Sequence, residues 1–204
     1  MTGHTGPGFP YALGSDALTD WPATSLELAN ALTPPIVTSL PASPNDGTVV
    51  YLEVDPGSGF PKVRWLLRWV ASLSRWVYLG GPPAYGYNGP IVVPSTAGWT
   101  NIAPAIAIPR GGLYLVRWGM AVAFSVAGAG VNVASLITGP GVADAAYDVH
   151  DQSATVINLW NSGATDRQVT YSGAGTAQMR VVPDASGRAN CNRRWLSILP
   201  VQLV

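Results

Sequence analysis

From Thr48 onward, apolar and polar residues repeatedly alternate with a period of two, the spacing of a half-buried strand. In KVRWLLRWV (62–70), Val63, Trp65 and Leu67 fall on one face, and Arg64, Leu66 and Arg68 on the other. TVVYLEV (48–54) precedes it and RWVYLGG (75–81) follows, with SPNDG, DPGSGFP and ASLS as turn segments. Asn-Asp-Gly and Pro-Gly tolerate the backbone angles that tight turns need. Three such runs predict an antiparallel β-meander over residues 35–86. A module of about 50 residues has a poor surface-to-volume ratio. Trp65, Trp69 and Trp76 are therefore expected to fill its core; a ligand-stacking platform is the alternative. GGPPAYGYNGP (80–90) reads as a linker.

The alternation resumes over residues 87–204, with candidate strands WTNIA, PAIAIP, GLYLVRWGMAVAFS, VNVASLIT, ATVINLW, RQVTYSG, TAQMRVVP and RRWLSILPVQL. In GLYLVRWGMAVAF, Leu113, Leu115, Arg117, Gly119, Ala121 and Ala123 oppose Tyr114, Val116, Trp118, Met120, Val122 and Phe124. Apolar character on both faces beyond Gly119 predicts burial on both sides, with a neighbouring subunit expected against the outer one. Around eight strands over about 115 residues predict a jelly-roll-like β-sandwich. Ahead of both units, residues 1–34 begin with MTGHTGPGFP, which reads as an extended arm. A short helix is predicted next: Thr24 and Glu27 fit a capping box, Leu28 and Leu32 share a face with Leu26 and Ala29 alongside, and Pro34-Pro35 ends it. A helix of about eight residues is not stable alone in water. It is expected to dock on a partner, with Trp21, Leu26, Leu28 and Leu32 as anchoring residues. The fold class is all-β, in three units at 1–34, 35–86 and 87–204.

Composition narrows the functions. Charged residues are 11% and hydrophobic residues 48%, against a usual charged share of about 25%. That balance opposes disorder and points to apolar surface covered by partners. Net charge is zero and Arg193-Arg194 is the only adjacent basic pair, so there is no basic stripe for nucleic acid. The best candidate for a membrane span, Gly119–Ile137, is broken by glycines and reads as two strands. The first residues lack a basic region followed by an apolar core, so synthesis in a cytoplasm without a signal peptide is expected. A single cysteine, Cys191, excludes an internal disulfide framework.

Catalytic patterns are missing. There is no G-x-S-x-G, no phosphate-binding G-x-x-x-x-G-K-[ST], no third glycine of a dinucleotide fingerprint, and no H-E-x-x-H or C-x-x-C pair. The one constellation with chemistry is DAAYDVHDQS, which holds Asp144, Asp148, His150, Asp151 and Ser153. Carboxylates and an imidazole suit a divalent cation or the hydroxyls of a ligand. The same residues suit a solvated loop, and because their spacing matches no metal cage, that reading leads. The loop, together with Trp160 and Asn161, is the candidate ligand-contact region. Glu27 and Glu53 lie in different units and do not form the acid pair of a glycosidase. Cys191 reads as a small buried residue rather than a nucleophile with His150 as base. No enzyme activity, cofactor or metal is expected.

LPASPNDGTVVYLEVD, followed by WLLRW and RWVYLGGPP, is similar to a small β module of tailed-phage virion proteins. In that module an "LPASPxDGxxVYY" opening, a "WxLRY" strand and a "GGPP" close recur; here Val50-Tyr51-Leu52 keeps one of the two tyrosines. YALGSDALTDWPATSLELANAL resembles the short start of such proteins, and IPRGGLYLVRWG and RRWLSILPVQLV resemble their β-sandwich tips. The resemblance implies a minor tail protein, head fibre or spike with a trimeric sandwich of the general TNF or C1q kind. It implies a virion location, a homotrimer, capsid or tail partners held through the N-terminal arm, and host-surface attachment, with a cell-surface glycan as a candidate ligand. The alternatives are a decoration or adapter protein that cements particle subunits, or an envelope-polysaccharide depolymerase.

Overall fold

The computed structural model describes residues 2–5, 9–12, 33–57, 59–94, 98–102, 105–124, 133–142, 147–150, 161–183 and 189–204. The chain is all-β. The only other regular element among the described residues is a 3-10 turn, Ala71–Leu73.

Strands β1 (Thr2–Thr5) and β2 (Phe9–Ala12) pair as an antiparallel hairpin. The arm expected over these residues therefore pairs with itself, Thr2–Thr5 against Phe9–Ala12, rather than extending singly. The helix expected over 24–32 lies outside the described residues.

The meander follows the predicted runs. β3 (Ile36–Val37) pairs in parallel with β4 (Val49–Val54), which pairs with β5 (Val63–Val70), which pairs with β6 (Arg75–Gly80). Val50, Leu52, Val54, Trp65, Leu67 and Trp76 are buried. Trp69 is half-buried and packs on Trp76 with ring centroids 5.6 Å apart. Sequence chemistry also closes the module. The Trp65 indole N–H donates to the Pro82 carbonyl at 3.0 Å, and the Tyr78 hydroxyl donates to the Gly81 carbonyl. Gly81 sits at φ +127°, where an added Cβ would lie 2.3 Å from the Arg64 carbonyl oxygen. Only glycine lets the chain pass so close, which gives the GGPP segment a structural reason.

The residues read as a linker continue into β7 (Ala84–Asn88), so the boundary expected at residue 86 falls within a strand. The second unit supplies β8 (Thr100–Asn101), β9 (Ile106–Ile108), β10 (Gly112–Phe124), β11 (Val133–Thr138), β12 (Tyr147–His150), β13 (Asn161–Tyr171), β14 (Gly175–Pro183) and β15 (Ala189–Leu203). The large sheet runs β13-β10-β15-β6-β5-β4-β3, and β7 also pairs with β15. The smaller one runs β12-β11-β14-β8, with β9 also on β14. One edge of β15 pairs along β10, while the other takes Val92, then β7, then the start of β6. Meander and sandwich thus share one sheet, and their buried residues form one cluster.

Ile106, Ile108, Ile137, Ala177, Met179 and Val181 of the smaller sheet line this core with Tyr114, Val116, Trp118, Leu196 and Ile198 of the large one. The two-sided apolar run of β10 is buried as predicted, with Ala121, Val122 and Ala123 each at 4% exposure or less. That burial is complete within the single chain, so these residues do not need a neighbouring subunit. Irregular register between Gly119 and Ala121 of β10, opposite Arg193 at φ +48°, marks a bulge that bends both strands.

Candidate binding surface

The outer face of the large sheet is exposed around Tyr85, Tyr87, Arg117 and Asp166, whereas its Gly119–Ala123 end is buried, and register decides which side chains meet on the exposed part. On the sandwich half, Leu115 lies opposite Leu199 and Gln168; Arg117 lies opposite Ser197 and Asp166, and Ser197 opposite Tyr85. One rung further, Trp195 lies between Tyr87 and Gly119. Tyr85 and Tyr87 are each 45% exposed, because β7 alternates Ala84 and Gly86 inward with the tyrosines outward. Tyr85 stacks on Trp195 with centroids 6.4 Å apart and planes at 27°. Burial, and then the neighbouring Tyr87, raise the Tyr85 hydroxyl above its ordinary pKa. Aromatic rings with adjacent hydroxyls, an aliphatic rung and one Arg/Asp rung make a surface suited to protein association or to a ring-shaped ligand.

The predicted contact residues map elsewhere. Asp144, Asp151 and Trp160 lie outside the described residues, as do Trp21, Leu26, Leu28 and Leu32. Asp148 and His150 fall on β12, opposite Ser135 and Val133, while Asn161 opens β13 opposite Val122. They stand on different sheets. The segment read as a solvated loop is a strand over Tyr147–His150, where Tyr and Val alternate with Asp and His. Among the described residues no three His, Cys, Asp or Glu side chains gather as metal ligands, and no helix is long and apolar enough to cross a membrane.

Cys191 is fully buried, and burial pushes its thiol up to about 12, against a smaller opposing effect of Arg194. It is protonated and inert at neutral pH. Arg194 is itself 1% exposed: one guanidinium nitrogen donates to the Cys191 carbonyl at 3.1 Å, its Nε has no hydrogen-bond partner among the described residues, and burial lowers its pKa. Glu53 accepts from Lys62 at 3.0 Å and Arg64 at 3.4 Å. These contacts, Lys62 first, hold its carboxyl below the usual range, as a surface ion pair does.

Tyr85, Tyr87 and Trp195 were not among the residues expected to bind. The Tyr-Gly-Tyr spacing carries the signal for two of them. Trp195 joins only through the β7–β15 pairing.

No family model matches the chain, and no curated protein matches it. Among solved structures, the Eiger TNF of S. frugiperda is 12% identical with a TM-score of 0.41, covering 58% of this chain and 92% of that one. A carbohydrate-binding module (CBM6cm-2) of Cellvibrio mixtus lichenase 5A, in complex with cellotriose, is 18% identical with a TM-score of 0.27, covering 74% of this chain and 85% of that one. Neither likeness bears on what this chain binds.

Proposed function

We propose that the chain is a structural protein of a tailed-phage particle: a short homotrimeric fibre or spike that displays its β-sandwich for attachment to the host surface. Residues 1–34 attach it to capsid or tail proteins, and the exposed ligand is a cell-surface glycan. The reading is non-enzymatic and needs no cofactor or metal.

The observation that carries it is the uncovered face at Tyr85, Tyr87, Trp195, Leu115 and Leu199. A protein with 11% charged residues that still exposes aromatic rings side by side has a surface built for a partner. The rung Arg117–Asp166 carries both charge signs. Rotated copies can therefore meet through opposite charges, one way to make the complementary contact that a closed ring repeats. Trimerisation then multiplies weak ligand contacts without new ones. The residues Trp65, Gly81 and Pro82, which the virion resemblance shares, take part in the closure of the meander, where the Trp65 indole donates to the Pro82 carbonyl.

Light scattering in line with size exclusion, at sub-micromolar concentration, tests the reading. The expected mass is close to three times 21.3 kDa, and Tyr85→Asp with Tyr87→Asp is expected to lower it toward one chain. The trimer is then expected to label cells of one host. A wild-type monomer sinks the trimeric tip and moves the particle-cementing adapter ahead.

A further inference from the structure

The meander half of the same outer face has different chemistry. Its centre is an apolar rung in which Ile36, Tyr51 and Leu66 align across β3, β4 and β5. Leu79 lies beside Leu66, where the register of β5 and β6 shifts. Ile36 and Leu79 are each 52% exposed, and Tyr51 and Leu66 are half-buried. Cations border this rung on both sides. On one, Arg64 lies opposite Glu53, with Lys62 reaching the same carboxylate. On the other, Arg68 lies opposite Val49 and Val77, with Arg75 beyond it, donating to Gln202 at 2.9 Å. Glu53 is the only carboxylate these strands turn outward. Asp46 and Asp55, in the flanking turns, accept from the backbone N–H groups of Ala71 and Gly57. At the β3 end the rung opens into a depression of about 560 Å³ lined by Thr33, Pro34, Pro35, Ile36, Tyr51 and Arg64.

We propose that this face docks an extended acidic segment of another protein, with an apolar side chain in the Pro34–Tyr51 depression and carboxylates on Arg64 and Arg68. Rungs two residues apart on a strand are separated by about 6.8 Å, so Arg64, Leu66 and Arg68 match an acid–apolar–acid run in an extended partner. An arginine fork takes a carboxylate in two parallel hydrogen bonds, which gives the match direction as well as charge. A second copy of this chain fits poorly, because three of its four cations here would meet the same cations or a neutral rung. That the partner is a particle protein rests on the function proposed above; its chemistry does not.

The test uses the full chain and a fluorescein-labelled peptide, Glu-Glu-Ser-Phe-Ser-Glu-Glu, whose second, fourth and sixth residues set acid, apolar and acid on one face, with a control carrying Gln for every Glu, read by fluorescence anisotropy. The acidic peptide is expected to bind at least about tenfold more tightly than the control, and to weaken as salt rises to about 0.3 M, where the screening length falls to several ångströms. Arg64→Gln with Arg68→Gln is expected to cost about tenfold, and Tyr51→Ala several-fold at unchanged melting temperature. Equal binding of both peptides, no binding, or tighter binding of a short duplex DNA would overturn the proposal. A fall in oligomer mass in the arginine variant would overturn it too, by assigning the face to self-association. If the wild type is a monomer, the trimeric reading fails while the peptide result still decides this one.

Discussion

The two halves of the large sheet are alike inside and unlike outside. Inside, Trp65 of the meander meets Tyr114 of the sandwich edge-on at 6.3 Å, and Tyr114 meets Tyr171 at 5.5 Å, so one line of rings crosses the junction. Outside, the meander sets arginines about an apolar rung, while the sandwich sets tyrosines and a tryptophan beside a balanced Arg117–Asp166 rung. Joining the halves is a matter of filled volume, and what sets their outer faces apart is charge against aromatic surface. Each can be changed without the other.

The largest expected effect comes from breaking the interior joint. Trp65→Ala removes a fully buried ring, its contact with Tyr114 and its bond to Pro82. It should cost about 3–5 kcal/mol in denaturant unfolding. A loss under about 1 kcal/mol would mean that something else joins the halves.

Alkaline pH should act next, and on the sandwich half. Burial pushes the Cys191 thiol from 9.0 to about 12 and holds the Tyr114 and Tyr171 hydroxyls well above their ordinary value. Unfolded, these groups ionise at ordinary values, so the unfolded state sheds protons first as pH rises. Their contribution is complete below about pH 9 and is lost as pH climbs toward 12. Unfolding midpoints should fall across that window, and native Cys191 should resist thiol reagents at pH 8. A midpoint flat to pH 11 would contradict this.

Tyr78→Phe deletes the hydroxyl that donates to the Gly81 carbonyl and leaves the ring in place. It should cost about 1 kcal/mol, with no effect on oligomer mass. The smallest effect belongs to the outer face: Arg68→Gln should change stability by no more than about 0.5 kcal/mol. A large stability loss there would show that the arginines hold the fold rather than a partner.

The long strands were legible because their patterns are local. Val63, Trp65 and Leu67 alternate with Arg64, Leu66 and Arg68, and the structure keeps those two sets apart. Strand β7 was hidden: Ala84–Asn88 carries Gly86, lies between the turn-forming Gly80–Pro83 and Gly89-Pro90, and becomes a strand through its pairing with Arg194–Ile198. Local propensity gives way there to a contact across more than a hundred residues. β12 was hidden by its acidic residues, which outweighed the Tyr147/Val149 alternation. The aromatic surface shares the first limitation, since Tyr85 and Trp195 become neighbours only once β7 and β15 pair.

Strand β15 lies between β10 and the β7–β6 side, although it is made after all of them. Between Phe124 and Ala189 the ribosome adds about 65 residues, roughly 3–13 s of synthesis at ordinary rates. For that interval two long backbone edges stand open, each able to pair with a neighbouring nascent chain. Chains made at high density along one message are therefore expected to aggregate more than well-spaced ones. A chain truncated before residue 189 would carry most of the core's side chains without the strand that closes over them.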